Sequence, residues 1–377
     1  IVCSLGWEPQ ASPCVDFKFL APLYFHSRPD HPIPSRRNGL SVRIGINGLG
    51  RIGRSLFRQA WKSAEIEVAA INDVAPPRTL AHLLRHDSVA GLWDVEVESR
   101  EAELVVSGRP IPCWGRQTPE DIPWSDGGVE MVIEATGRFQ RRSAAEGHLR
   151  GSVRNVIISS PSTDADFTVG WGVNHHLVDP RRHRVISNAS CTTQCAAPLL
   201  LLIDRAWGVE ACSMTTIHCY TNDQPLMDAP HRDLRRSRAA AMSMIPTSTS
   251  ASTALEKIFP ELAGNLTCLA VRVPTPFVSA VELVVSLKQD GDLERARSVF
   301  RAAGDGALAG IVGYTEEDLV SVDYRGDTRS AVVDGPLLAL PSPRLLRVFA
   351  WYDNESGYTQ RLMDLVRHLA HDPGSAP

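Results

Sequence analysis

The sequence predicts an α/β protein of two domains, the first built on a parallel sheet covered on both faces, the second on an antiparallel sheet. Three observations carry this. The chain has 377 residues, which is long for one hydrophobic core and suits two. Up to about residue 190, short apolar strand signals alternate with polar helical stretches, the pattern of parallel strands joined by helical crossovers. Beyond residue 191, Val278 to Leu287 alternates as a half-buried antiparallel strand does.

The elements follow in order. Val42-Arg43-Ile44-Gly45-Ile46 reads as a strand, and Ile52, Leu56, Ala60 and Trp61 recur at helical spacing after a glycine-rich turn. Val68 to Ile71 gives a second strand that ends in Asn72-Asp73, and Met131-Val132-Ile133 and Val156 to Ser159 give further buried-strand signals. A long helix is expected through Ala196 to Arg205, with Pro198 kinking it or lying near its first turn. Strands are expected at Ala211 to Cys219 and Thr267 to Val273. Between them, residues 220 to 245 carry many arginines and little regular pattern, and a loop of that length in a compact domain is functional or packed on a partner.

Composition narrows the function. A formal net charge of -4 gives no global attraction to nucleic acid or anionic membrane, so a charged ligand must be met by a local patch. The longest apolar runs fall short of the ~20 residues of a membrane span, and a soluble protein is expected. The 8 cysteines are too sparse for a disulfide scaffold and form no C-x-x-C pair, so most are expected to be buried thiols. Residues 1–41 have neither a signal core nor a transit-peptide composition. They are expected to be a poorly ordered extension or a product of where the reading frame opens.

Two motifs carry chemistry. Gly48-Leu49-Gly50-Arg51-Ile52-Gly53 is a G-x-G-x-x-G directly after a strand and opening a helix, with Asp73 about 20 residues on. The glycines permit a tight turn and close backbone approach, the helix N-terminus meets a pyrophosphate, and the acid meets the ribose, favouring NAD over NADP. In Ser187-Asn188-Ala189-Ser190-Cys191, Asn188 or Ser190 can cap the next helix, which places Cys191 at its N-terminus and should lower the thiol pKa. His218 ends a later strand. From the residues alone, Cys191 and His218 are either a nucleophile with its base or a buried thiol and a core histidine. Cys195, one turn on, reads as small core packing. Arg232, Arg235, Arg236, Arg238 and Arg272, with Thr221, Thr249 and Ser250, suit either phosphate or salt bridges to another subunit.

The chain from about Val42 to Leu369 resembles phosphorylating glyceraldehyde-3-phosphate dehydrogenases through "GINGLGRIGR", "AAIND", "ASCTTQC", "IHCYTNDQ", "DAPHRDLRRSRAAAMSMIPTSTS", "AVRVPTP" and "WYDNESGY", in that order. The resemblance implies a Rossmann NAD-binding domain over 42–190, an α+β catalytic domain with a mostly antiparallel sheet over 191–355, and a helix at 356–371 returning to the first domain. It also implies a cytoplasmic homotetramer with no membrane or nucleic-acid partner, in which residues 220–245 line a neighbouring subunit's cofactor site. Cys191 matches the nucleophile and His218 its base. Gly48, Gly50, Arg51, Ile52, Gly53, Asp73 and Asn354 match cofactor contacts, as does Arg116 with the spacing offset by one residue. Pro230 agrees with Asp73 in favouring NAD. Thr221 and Arg272 match the substrate-phosphate site, Thr249, Ser250, Ser190 and Thr192 the inorganic-phosphate site, and Arg236 lies between the two anions.

The activity implied is NAD-dependent oxidation of glyceraldehyde 3-phosphate with uptake of inorganic phosphate, through a hemithioacetal and a thioester on Cys191. The chain departs from the family pattern at Gln194 (for Asn), Ser250 (for Gly), Ala135 (for a hydroxyl residue), Thr253 (for Lys) and Ser356 (for a larger residue). Two other readings stand beside the main one. One is a dehydrogenase of another aldose phosphate, such as erythrose 4-phosphate, or an arsenate-using relative, which Ser250 leaves open. The other is a catalytically weak paralogue that binds through its NAD fold, against which the set Cys191, His218, Arg272 and Asn354 argues.

Overall fold

The structure, a computed structural model, describes residues 41–371; the expectation for the N-terminal extension falls almost wholly outside them. The described residues form two large sheets. In the first, Val42–Asn47 lies between Ile66–Asn72 and Met131–Glu134, and the parallel order continues through Asn155–Ile158 and Val185–Ser187 to Phe167–Thr168. On the other side, Arg109–Trp114 runs parallel to Ile66–Asn72. The edge departs from the expected parallel sheet, because Glu103–Val106 and Val97–Arg100 add on as antiparallel strands. The cause is local. Ser107 and Gly108 both take positive φ, 46° and 75°, and a two-residue turn of that kind joins only antiparallel neighbours.

Both faces of this sheet are covered, as its continuous apolar strands require. One face packs Ile44, Ile46, Leu56, Phe57 and Ile71 against the helices, the other packs Ala70, Val132 and Val156 against Ile122 and Trp124. The helix Ser356–His371 closes the first face with Tyr358, Leu362, Leu365, Val366 and Leu369. It is pinned to the helix Arg51–Ala60 by Gln59 Nε2, which donates to Thr359 Oγ1 at 2.6 Å, and by Ser55 Oγ, 3.0 Å from the same hydroxyl.

The second sheet runs Ile245–Thr247, Leu266–Val273, Val209–Cys219, Ser279–Leu287, Leu345–Tyr352, Ala331–Asp334, Val312–Thr315, with Ala339–Ser342 beside Leu345–Tyr352. It is antiparallel except where Val209–Cys219 meets Leu266–Val273 and where Val312–Thr315 meets Ala331–Asp334. The parallel pair puts His218 directly across from Arg272. Over the sheet lies the helix Cys191–Trp207, whose Cys195, Leu199, Leu200 and Ile203 enter its core. Pro198 sits in mid-helix rather than in the first turn. Surrounding core contacts hold the helix through a residue that removes one of its hydrogen bonds. Residues 220–245 are irregular up to the strand that opens at Ile245. No helix among the described residues is long and apolar enough to cross a membrane.

A histidine cluster lies where the loop after Thr168 meets the last helix. The His175 ring lies tilted against Trp171, centroids 4.3 Å apart, and is 5.7 Å from His368 and 5.8 Å from His176. Its Nδ1 accepts the Gly172 N–H at 3.2 Å, which requires a lone pair there. Burial and the two neighbouring rings push the His175 pKa below 6.5, against a weaker upward pull from Asp364. A histidine depressed on folding gives stability that is complete above its unfolded pKa and is lost as pH falls through 6.5. Thermal unfolding between pH 8 and 5 should therefore show a smaller decline in His175→Gln than in the parent.

Candidate active site

The first site element is the turn between Val42–Asn47 and the helix that starts at Arg51. Gly48 takes φ 94°, and a Cβ on Gly53 would lie 2.1 Å from the Gly48 carbonyl oxygen, so neither position admits another residue without movement. Gly50 faces open space, with nothing within 4 Å of where a Cβ would be. Its lack of a side chain leaves the helix N-terminus uncapped, and the first N–H groups with their positive dipole end face outward. Asp73 closes the turn: its Oδ2 accepts the Leu49 N–H at 2.7 Å and its Oδ1 the Ala75 N–H at 2.9 Å. These features fit a dinucleotide, with an open glycine beside uncapped donors for the pyrophosphate and an acid at the end of the second strand.

Arg51 Nη1 reaches Glu355 Oε1 at 3.0 Å, which ties the turn to the segment before the last helix. Ile52 is half-buried beside the first core. Arg116 is exposed, and its backbone is clamped by Asn72, which accepts the Arg116 N–H at 2.8 Å and donates to its carbonyl at 2.9 Å.

Beneath the turn lies a buried polar network. Asn72 donates to Asn47 Oδ1 at 2.8 Å, and Asn47 donates to Glu134 Oε2 at 2.5 Å. His148 Nε2 stands 3.2 Å from the same carboxylate, and its Nδ1 accepts the Trp124 indole N–H at 3.0 Å. Because Nδ1 must accept, the ring proton sits on Nε2 and points at Glu134. Each member is satisfied, which is what a buried polar cluster needs if it is to fix geometry.

The second element is the nucleophile turn. Ala189 takes φ 51°, a conformation disfavoured for any residue with a Cβ, and is held there by two hydrogen bonds. Its N–H donates to Ser187 Oγ at 3.1 Å and its carbonyl accepts from Tyr358 Oη at 3.1 Å. Ser190 caps the helix by accepting the Thr193 N–H at 3.1 Å. Gln194 is buried, with its Oε1 accepting the Trp171 N–H at 2.9 Å and its Nε2 donating to the carbonyls of Val169 at 2.9 Å and Asn188 at 3.0 Å. Thr192 Oγ1 pairs with Tyr352 Oη at 2.9 Å, and Tyr352 Oη also lies 3.0 Å from Thr216 Oγ1 on the sheet.

Cys191 Sγ lies 3.4 Å from His218 Nε2. His218 Nδ1 is 2.7 Å from its neighbour's carbonyl, Cys219 O, and 2.6 Å from Arg272 Nη1. It can therefore carry its proton toward the carbonyl or accept one from the guanidinium, and Nε2 accordingly accepts from or donates to the sulfur. Burial, then Arg272, push the His218 pKa down to about 3. The expectation that the helix N-terminus lowers the Cys191 pKa is corrected here. Burial is the larger influence and raises it, against the downward pull of Arg272, Thr192 and Arg51. Each charge is costly alone, whereas a proton passed between the two atoms makes both charges at once, where they attract. Cys195 is fully buried, with its pKa raised well above 9.0.

Arg272 is the cation nearest this pair, and among the described residues its buried Nε has no hydrogen-bond partner. Arg236 is engaged by Asp223 at 2.5 Å, Thr247 Oγ1 at 2.8 Å and the Ser248 carbonyl at 3.0 Å. Thr221 is half-buried after the His218 strand. Thr249 Oγ1 accepts the Ala251 N–H at 3.2 Å, and Ser250, at φ -80°, starts the helix Ala251–Ile258 without strain and without a side-chain capping bond. Asn354 is buried, its Oδ1 3.2 Å from Cys219 Sγ.

A dinucleotide turn joined to a Cys/His pair beside a buried arginine defines the class of protein: an NAD-dependent oxidoreductase. The chain belongs to the glyceraldehyde-3-phosphate dehydrogenase family. Residues 42–142 match that family's NAD binding domain and residues 190–354 its C-terminal domain. It is similar to glyceraldehyde-3-phosphate dehydrogenase 1 of Bacillus cereus, 50% identical over 328 residues, covering 87% of this chain and 98% of the relative. The Geobacillus stearothermophilus enzyme is 46% identical over 331 residues, 88% of this chain and 99% of the relative. The Streptomyces coelicolor enzyme is 44% identical over 329 residues, 87% and 98% respectively.

The residues that sequence reasoning missed are supports: Asn47, Glu134, His148, Tyr352, Tyr358, Glu355 and Cys219. Asn47, Cys219, Tyr352, Glu355 and Tyr358 stand inside quoted motifs, as does Asn72, which was a usable signal, whereas His148 and its partner Trp124 carry none. Tyr352→Phe removes the hydroxyl that meets both buried Thr192 and Thr216 and should cost about 1–3 kcal/mol of stability. A lowered midpoint in urea unfolding with unchanged slope checks it.

Proposed function

We propose that this chain oxidises glyceraldehyde 3-phosphate to 1,3-bisphosphoglycerate, with NAD as hydride acceptor and inorganic phosphate as acyl acceptor. The observation that carries the reading is the 3.4 Å approach of Cys191 Sγ to His218 Nε2 beside Arg272, at the border of an NAD-binding fold. In this proposal, residues 42–190 with helix 356–371 hold the cofactor and residues 191–355 hold the chemistry. Gly48, Gly50, Arg51, Ile52, Gly53, Asp73, Arg116 and Asn354 hold NAD, which when bound takes up the hydride. The protein works in the cytoplasm.

The substrate phosphate is met by Arg272 and Thr221, with Arg236 near. An anion there draws Arg272 off His218 Nδ1, and the imidazole becomes a stronger base as that positive charge recedes. His218 Nε2 then takes the Cys191 proton while the sulfur attacks the aldehyde carbon and the carbonyl electron pair moves to oxygen. The proton returns to that oxygen and gives the hemithioacetal. His218 takes the hydroxyl proton as the hydride departs from carbon with two electrons, leaving a thioester. A phosphate oxygen, held by Thr249, Ser250, Ser190 and the first helical N–H groups, attacks the thioester carbon. The C–S bond breaks, Cys191 leaves as thiolate, and the acyl phosphate forms.

Assembly as a homotetramer is part of the proposal. Leu226, Met227, Leu234, Met242 and Met244 are exposed at 68% or more in residues 220–245. Ile217 and Leu269 are exposed on adjacent strands of the second sheet. Apolar surface of this extent is what a second copy would cover.

NAD reduction followed at 340 nm, with glyceraldehyde 3-phosphate and phosphate, tests the reading. Cys191→Ser should give no NADH, and ordinary turnover in that variant would remove the nucleophile assignment. His218→Asn should lower kcat by about 10²–10⁴-fold. Arg272→Leu should lose most of the preference for glyceraldehyde 3-phosphate over unphosphorylated glyceraldehyde, expressed as the ratio of kcat/KM values.

A further inference from the structure

Cys219 stands between the two halves of the site. Its backbone carbonyl meets His218 Nδ1 at 2.7 Å and Arg272 Nη1 at 3.0 Å, and its N–H donates to Ser279 Oγ at 3.1 Å. Its side-chain Sγ lies 3.2 Å from Asn354 Oδ1 and, more distantly, 3.7 Å from His218 Nδ1, which is already engaged by the Cys219 carbonyl and Arg272. Cys219 and Asn354 are buried, at 0% and 4% exposure, so water does not replace their contact freely. The flanking backbone is fixed independently: Asp353 Oδ1 accepts the N–H groups of Glu355 and Ser356 at 2.9 Å, and its Oδ2 accepts from Gly326 at 2.8 Å. What that frame leaves undetermined is the Asn354 amide, whose terminal torsion is broad and two-fold. Among the described residues, no protein acceptor meets its NH2.

We propose that Cys219 is a positioning residue: its thiol donates to Asn354 Oδ1 and thereby turns the Asn354 NH2 toward the cleft, presenting a donor to the carboxamide oxygen of the NAD pyridine ring. This rests on the reading of Asn354 as a cofactor contact. Burial holds the thiol pKa up at about 11, so the sulfur keeps its proton, and its role as donor, at neutral pH. A methyl group in its place would let the amide populate both flips, only one of which matches a carboxamide oxygen.

Isothermal titration of the full chain with NAD and with ADP-ribose, which lacks the pyridine ring, tests it. Cys219→Ala should weaken NAD by about five- to tenfold, the size of one lost buried hydrogen bond, and leave ADP-ribose unchanged. Cys219→Ser, which restores a donor, should return NAD affinity close to that of the parent. In an Asn354→Ala background, Cys219→Ala should have no further effect on NAD. Unchanged NAD affinity in Cys219→Ala, equal weakening of both ligands, or failure of Ser to rescue would overturn the inference. Failure of the parent to bind NAD would instead overturn the reading beneath it.

Discussion

The seating of one helix, Cys191–Trp207, between the two sheets is the constraint on which the rest depends. Cys191 and Trp171 each pack against both large cores, so the nucleophile marks the seam where the halves meet. The helix body is buried in the core of the second sheet, while its first turn is tied to the first sheet's loops by Gln194. The Gln194 amide spans from the helix to Trp171, Val169 and Asn188 at once. Beside these bonds, Ser187 Oγ and Tyr358 Oη hold Ala189 at its positive φ.

Electrostatics at the seam follow from the same burial. Removing water raises the cost of any single charge on Cys191 or His218, and Arg272 adds a fixed positive charge beside the imidazole. The site therefore favours a neutral pair. The raised thiol pKa values of Cys195, Cys212 and Cys219 have the same cause, burial.

Much of this was readable from local signals. The glycine turn, Asp73 and the Ser190 cap are set by residues within one or two elements, and the structure has them where the spacing put them. Which of its two expected places Pro198 takes, and the antiparallel edge, were not legible because each depends on what lies across the chain: core packing in one case, a tight turn pairing strands in the other. The Cys191 pKa was misjudged for a related reason. A helix N-terminus is visible in sequence, but desolvation belongs to the assembled fold.

By itself the sequence determined the main strands and helices, the dinucleotide turn and the Ser190 cap, because these depend on periodicity, capping and backbone conformation over a few residues, and it left Cys191 and His218 open between a reactive pair and two core residues. Only the tertiary structure decided that His218 and Arg272 stand opposite each other on parallel strands, and that Cys219 faces Asn354 across 135 positions of chain. Contacts of that separation are set by sheet register and core volume, and no short stretch of residues encodes either.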